Sequence, residues 1–417
     1  MHPTQAIMDW MSNPYTSLVR QIRILPLRPH DPKVYACGAE LGTESSNRAV
    51  YFGGIGLTQD QARISCIGEV IERFQAAPLN DDIRIEASAR DWPLSEDRVS
   101  PEQWVLFLPE QYQESGFPFQ PLTQDSVCFW VCFRDLMTGN PVWIPQEMAY
   151  LGCRSGETHQ IAPMISTGMS AGTFGFPVLL RGLQEVIERD ALVGVWWQKY
   201  TVEEWPEDSI WELFPEESIQ MRRPNLTYRF FRLGSPYSHY VTMVSIRGLD
   251  QEGFCFSIGS ACRETLSASW MKSLLEAIQG RYYARFLKAR ALFSEGHFRE
   301  VIDFPHHAVY YSLYPEKLSQ TLFQKPVKPP LSSLDLSSTE NLEILTQRLG
   351  PTHPVLFRNM TSPSVAQLFP EWYVLRVVVP GLQPLYGNEN FPLLGGPLWQ
   401  EKTVQDYLKT IPPHPFA

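Results

Sequence analysis

The chain has 417 residues, enough for roughly two or three domain-sized units, and its 44% hydrophobic and 19% charged residues are ordinary for a folded globular protein. A net charge of −10 with no Lys/Arg run gives no attraction to nucleic acid or to an anionic membrane surface, so neither is expected as a partner. The opening "MHPTQAIMDWMSNPYTSLVRQIRILPL" lacks a basic start followed by an apolar core and a cleavage site, and no apolar run is long enough to span a bilayer; a cytoplasmic address is expected. Seven cysteines without a C-x-x-C pair read as reduced, buried thiols.

In chain order, residues 1–50 read as an N-terminal extension. After Gly53, Gly54 and Gly56 comes the first helical block, "TQDQARISCIGEVIERFQAA", with Thr58 as its N-cap. "CFWVCFRDLMTGNPVWIPQEM" reads as two strands joined by a turn at Thr138-Gly139-Asn140, with Cys128 and Cys132 on one face. The small-residue run "STGMSAGTFG" leads into the second helix, "FPVLLRGLQEVIERDALVGVWW". "LTYRFFRL", "YVTMVSIRGL" and "GFCFSIGSA" read as strands before the third helix, "TLSASWMKSLLEAIQGRYYARFLKAR". His306 and His307 in "DFPHHAVYY" read as neighbours on a strand, pointing to opposite faces and without a joint role. A Pro/Ser-rich connector, "KPVKPPLSSLDLSSTEN", precedes the last strand, "WYVLRVVVPGLQPLYG". The alternation without a short repeat predicts a mixed α/β fold.

Each helix carries a polar stripe. Glu69, Glu72 and Arg73 lie at i, i+3 and i+4, with Ser65 one turn earlier; Glu185, Glu188 and Arg189 repeat the pattern, with Arg181 before them. The third helix echoes it with Lys272, Glu276, Gln279 and Arg281. Such a stripe ordinarily marks a solvated face. Here the flanking residues are apolar, among them Ile67, Val70, Ile71, Leu183, Val186 and Ile187, and carboxylates buried among apolar residues need cations. A cluster of Glu oxygens suits Mg²⁺, which with few protein ligands brings a phosphate substrate along. No G-x-x-x-x-G-K-[ST] motif occurs, so a P-loop is excluded.

Ser65-x-x-x-Glu69-x-x-Glu72-Arg73, Glu185-x-x-Glu188-Arg189 after "STGMSAG", and "LLEAIQGR" together resemble the nucleotide-binding signatures of the YcaO superfamily. "DLMTGNPVWIP", "RVVVPGLQPLYG" and the Pro-rich tail resemble its azoline-forming branch, over residues 51–417. The resemblance implies an ATP-dependent cyclodehydratase that turns Cys, Ser or Thr of a ribosomally made precursor peptide into thiazoline or oxazoline rings. It implies ATP and Mg²⁺ as cofactors, with Glu69, Glu72, Glu185 and Glu188 as metal ligands. Ser65, Arg73, Ser170, Arg189, Gln279 and Arg281 are implied as nucleotide or phosphate contacts. The ending Pro413-His414-Pro415-Phe416-Ala417 resembles a tail that places a carboxylate near the reacting peptide, with Pro413, Pro415 and Ala417 as its catalytic residues. A separate leader-binding ThiF-like partner, a flavin-dependent azoline oxidase and a homodimer are implied as well. Three positions depart from the pattern: Pro177 where an acidic residue is common, Thr173 for Asn, and Ile55 for a basic residue. Thioamide or amidine formation and a nucleotide-binding scaffold subunit stay open as alternatives.

Overall fold

The computed structural model describes residues 3–13, 19–41, 50–79, 82–152, 160–290, 293, 298, 300–325, 327 and 338–416. Ala417 and Cys153 lie outside them, so the expected role of Ala417 is not placed.

Helix α1 (Pro3–Ser12) precedes strands β1 (Val19–Ile24), β2 (Tyr35–Leu41) and β3 (Val50–Gly56), an antiparallel sheet in the order β1-β2-β3. Two of its three strands thus come from the first 50 residues. Helix α2 (Gln59–Phe74) lies on this sheet. Thr58 caps it, and a reciprocal box with Gln61 satisfies the first-turn donors. Gly54 allows the contact: a Cβ there would stand 2.2 Å from the Cys66 amide nitrogen and 2.4 Å from the Ala62 carbonyl oxygen, both backbone atoms of α2.

Strands β4 (Arg84–Ala87), β5 (Asp97–Arg98), β6 (Cys128–Asp135), β7 (Pro141–Pro145) and, beyond helix α3 (Gln146–Ala149), β8 (Met169–Thr173) belong to a second sheet. Cys128 and Cys132 share one face of β6, against the buried Trp130 and Trp143. Helix α4 (Gly175–Trp196) follows; Phe174, at φ 67°, precedes it. Pro177 is exposed on the first turn, where a residue without an N–H breaks no helical bond, so the second Glu helix runs unbroken.

Strands β9 (Val202–Trp205), β10 (Leu226–Leu233), β11 (Val241–Asp250) and β12 (Gly253–Cys262), with helices α5 (Glu207–Trp211) and α6 (Pro215–Met221) after β9, form an antiparallel sheet in the order β12-β11-β10-β9. Helix α7 (Leu266–Lys288), capped by Thr265, packs on β11 and β12. Helices α8 (Phe304–Leu313) and α9 (Leu342–Leu349), strand β13 (Leu356–Asn359), helix α10 (Pro363–Leu368), strand β14 (Trp372–Val378) and helix α11 (Val404–Thr410) complete the chain. The second sheet runs β5-β7-β6-β13-β14-β8, with β4 on β6, so late strands β13 and β14 fill its centre.

The mixed α/β fold and the three long helices agree with the sequence. One local expectation is corrected: His306 and His307 lie on helix α8, which Asp303 caps and Pro305 starts. The segment is apolar on several sides, and a short apolar run does not distinguish strand from helix by its periodicity.

Candidate active site

Helices α2, α4 and α7 meet between the three sheets, and the carboxylates of α2 and α4 each accept from a backbone amide outside their own helix. Glu69 accepts from the Gly53 amide of β3 at 3.3 Å, and Glu72 from the Ala171 amide of β8 at 2.9 Å. On α4, Glu185 accepts from the Gly168 amide at 3.2 Å. Glu188, 4% exposed, accepts from the Ser260 hydroxyl at 2.6 Å and the Cys262 amide at 3.2 Å, both on β12. Glu276 of α7 pairs with Lys272 at 3.0 Å. Arg189 stands 3.7 Å from Glu185 and 4.0 Å from Glu188, and its Nε has no hydrogen-bond partner among the described residues.

The electrostatics describe a site short of positive charge. Burial raises the pKa of Glu72, and the negative neighbours Glu185 and Glu69 push it further, to about 8. Burial also raises Glu69 and Glu188 above the usual carboxylate range, against the opposing charges of Arg73 and Arg189. Glu276 goes the other way: burial pushes it up, but Lys272 and Arg263 outweigh that and hold it down. A cation reaching Glu72, which burial and its negative neighbours hold protonated near neutral pH, would favour its ionised form, and the Glu69, Glu72, Glu185 and Glu188 donors are all oxygens. Their donor chemistry thus fits Mg²⁺, while among the described residues no three of these carboxylates hold ligand oxygens within 4.8 Å of one another.

The four expected metal ligands lie close enough to act on one another's charge, directly or through Glu276. Arg73, at the exposed end of α2, acts on both Glu69 and Glu72. Gln279 lies against β3, its Nε2 2.8 Å from where a Gly53 Cβ would be. Ser65 is half-buried one turn before Glu69. Two expectations are revised. Arg281 is 1% exposed and turned away from the carboxylates, bonded to Asp250 at 3.1 Å and to the Cys255 carbonyl, because its position on α7 faces β12. Ser170 spends its hydroxyl on the Val178 carbonyl of α4 at 2.7 Å, inside the core. Arg263 and Ser260 escaped the sequence reading. Both sit at the end of β12, and no spacing in the chain ties them to the Glu pairs.

The second cluster lies at the end of α4. Trp196 Nε1 donates to the Pro412 carbonyl at 2.8 Å, and Tyr311 of α8 to the Pro413 carbonyl at 2.7 Å. Phe416 is 3% exposed and packs on Trp196. Trp196 is seven residues beyond Arg189, about 10 Å along the helix, and the Arg189 charge reaches His414. The tail is thus anchored on the helix that carries the second Glu pair.

A family profile described as YcaO cyclodehydratase, ATP- and Mg²⁺-binding, matches residues 53–383. No curated protein matches the chain by sequence. Among solved structures, a heterocyclase in complex with substrate and cofactor is similar at a TM-score of 0.71 and 17% identity, over 100% of this chain and 57% of that one. This chain therefore spans little more than half of that protein. The YcaO protein of Methanopyrus kandleri, bound with AMPPCP and Mg²⁺, is similar at 0.60 and 20% identity, over 92% and 91% of the two chains. A chain of the E. coli microcin synthetase McbBCD complex is similar at 0.54 and 15% identity, over 86% and 87%. At these identities the likeness is one of fold.

Proposed function

The chain belongs to the YcaO family of ATP- and Mg²⁺-binding cyclodehydratases, and from that premise we propose that it is the subunit that forms azoline rings in a ribosomally made precursor peptide. ATP and Mg²⁺ are its cofactors. The observation that supports the reading is the set Glu69, Glu72, Glu185 and Glu188 on two helices, each held by a backbone amide, with Arg189, Arg263 and Lys272 around them.

In the proposed reaction a Cys, Ser or Thr side chain of the peptide attacks the preceding backbone carbonyl carbon. The thiol or hydroxyl loses its proton as the C–S or C–O bond forms; the carbonyl oxygen takes up the γ-phosphoryl group, releasing ADP, and leaves as phosphate, and the amide nitrogen gives up its proton as the ring's C=N bond forms. ATP supplies the group that makes a poor leaving oxygen a good one. The chain's work is positioning and charge neutralisation. Glu69, Glu72, Glu185 and Glu188 would hold Mg²⁺, with their amide partners fixing each carboxylate. Arg189 and Arg263 offset charge on the phosphates, and Lys272 keeps Glu276 ionised. The tail Pro412–Phe416, anchored on α4, reaches toward the peptide. A ThiF-like protein presents the precursor by its leader, a flavin-dependent oxidase follows, and the subunit works as a homodimer in the cytoplasm.

Peptide-stimulated phosphate release with precursor and partner tests this. Glu72→Gln and Glu188→Gln keep the side-chain volume but remove ligand charge, and each is expected to lower turnover at least about a hundredfold. Ring formation at the wild-type rate in both variants refutes the site.

A further inference from the structure

The tail is held by more than its anchors on α4. His307, on α8 and 1% exposed, donates its Nδ1–H to the His414 carbonyl at 2.5 Å. The His414 N–H donates to Glu389 Oε1 at 3.1 Å, and the Phe416 N–H to His414 Nδ1 at 3.2 Å. Pro412, Pro413 and Pro415 have no N–H, so every backbone donor from 412 to 416 is satisfied. The carbonyls of Pro412, Pro413 and His414 are each held by a buried side chain. The His307 ring lies flat on the His414 ring, centroids 3.7 Å apart and planes within 1°. His414 donates its Nε2–H to the Tyr386 carbonyl at 2.7 Å, and Glu389 accepts from Tyr407 at 2.5 Å.

His307, Glu389 and His414 also form the one group among the described residues with the spacing of a metal site. Geometry argues against that use. In parallel rings 3.7 Å apart the nitrogen lone pairs run side by side rather than converging, and both nitrogens of His414 already serve hydrogen bonds. We propose instead that His307, with Glu389 and Tyr311, is a clamp that fixes the segment Pro412–Phe416 in one position, making His307 a positioning residue for the tail. Its catalytic purpose rests on the tail's role proposed above; the clamp itself does not. Burial depresses His307 to about 4 and His414 well below its ordinary value, with Glu389, Asp303, His306, Arg189 and Tyr386 as the polar groups around them, so two neutral rings stack without repulsion.

Hydrogen exchange measures the clamp directly, because a peptide spanning 412–416 reports only the His414 and Phe416 amides. His307→Phe keeps a stacked ring and removes the donor; these amides are expected to exchange at least about tenfold faster. His307→Asn, whose amide nitrogen takes the place of Nδ1, is expected to restore most of the protection. Unchanged exchange in His307→Phe overturns the proposal. Should that variant loosen α4 as well, Tyr311→Phe decides: it removes one hydroxyl, and unchanged exchange there overturns the clamp too. Titration of the wild-type protein with Zn²⁺ alone is expected to give no stoichiometric binding, and tight binding lost in His414→Ala overturns it in favour of a metal site. In turnover with precursor peptide, His307→Phe is expected to lower kcat and leave the KM for ATP unchanged, with His307→Asn restoring kcat. A loosened tail with unchanged kcat removes the tail's catalytic role while the clamp stands.

Discussion

Glu389 combines a carboxylate that burial pushes up to about 7 with two donors, Tyr407 and the His414 amide. A carboxyl group raised in the folded state weakens folding as pH rises. Below its unfolded pKa, about 4.3, both states hold the proton; between there and 7 only the folded state does. By pH 7 this costs up to about 3 kcal/mol. Glu389→Gln removes the ionisation, so urea unfolding should show the variant gaining on the wild type steadily from pH 5 to pH 7. A constant difference across that range contradicts the assignment. His307 and His414, depressed by the same burial, act in the opposite sense below about pH 6.5 and are present in both proteins. At this scale the chain's own letters misled: adjacent His306 and His307 gave no cue that His307 faces His414, 107 positions on.

The elements were largely legible. Helix α2 carries its N-cap Thr58, and α2 and α4 their Glu pairs, in plain spacing, since a helix places i, i+3 and i+4 on one face whatever surrounds it. Whether that face met solvent or a neighbour depended on packing. Two glycines, Gly54 of β3 facing α2 and Gly68 within α2, separate the two effects. Gly54→Ala puts a Cβ against α2 backbone that has no room to give, and is expected to cost about 3 kcal/mol in thermal unfolding and to weaken ATP binding. Gly68→Ala, within α2 and with nothing within 4 Å, is expected to stabilise by about 0.5–1 kcal/mol, since a helical alanine gives up less backbone entropy. Two similar melting temperatures would mean α2 does not pack on β3 as described. Pro177, which stands where the resemblance leads one to expect an acidic residue, occupies the first turn of α4, where proline breaks no helical bond.

For the whole molecule, the charge pattern predicts coupled ligand binding. Carboxylates from α2, α4 and α7 repel one another when ionised, so Mg²⁺ and nucleotide together should raise the melting temperature by more than the sum of each alone, in calorimetry at pH 8. Additive shifts would mean that the two ligands do not share this cleft. Among the described residues no helix is long and apolar enough to cross a membrane. The sequence by itself determined the three long helices, the Thr58 cap and the doubled Glu pattern, because local spacing and backbone propensity act within a few residues. Only the tertiary structure decided that Arg281 turns to Asp250 and Arg263 joins the carboxylates. It also decided that strands β13 and β14 enter a sheet whose first strand, β4, begins at Arg84, far earlier in the chain, and that the tail ends stacked on α8. Those choices depend on which buried polar group finds a partner across the fold, and a partner far away in the chain leaves no mark on local spacing.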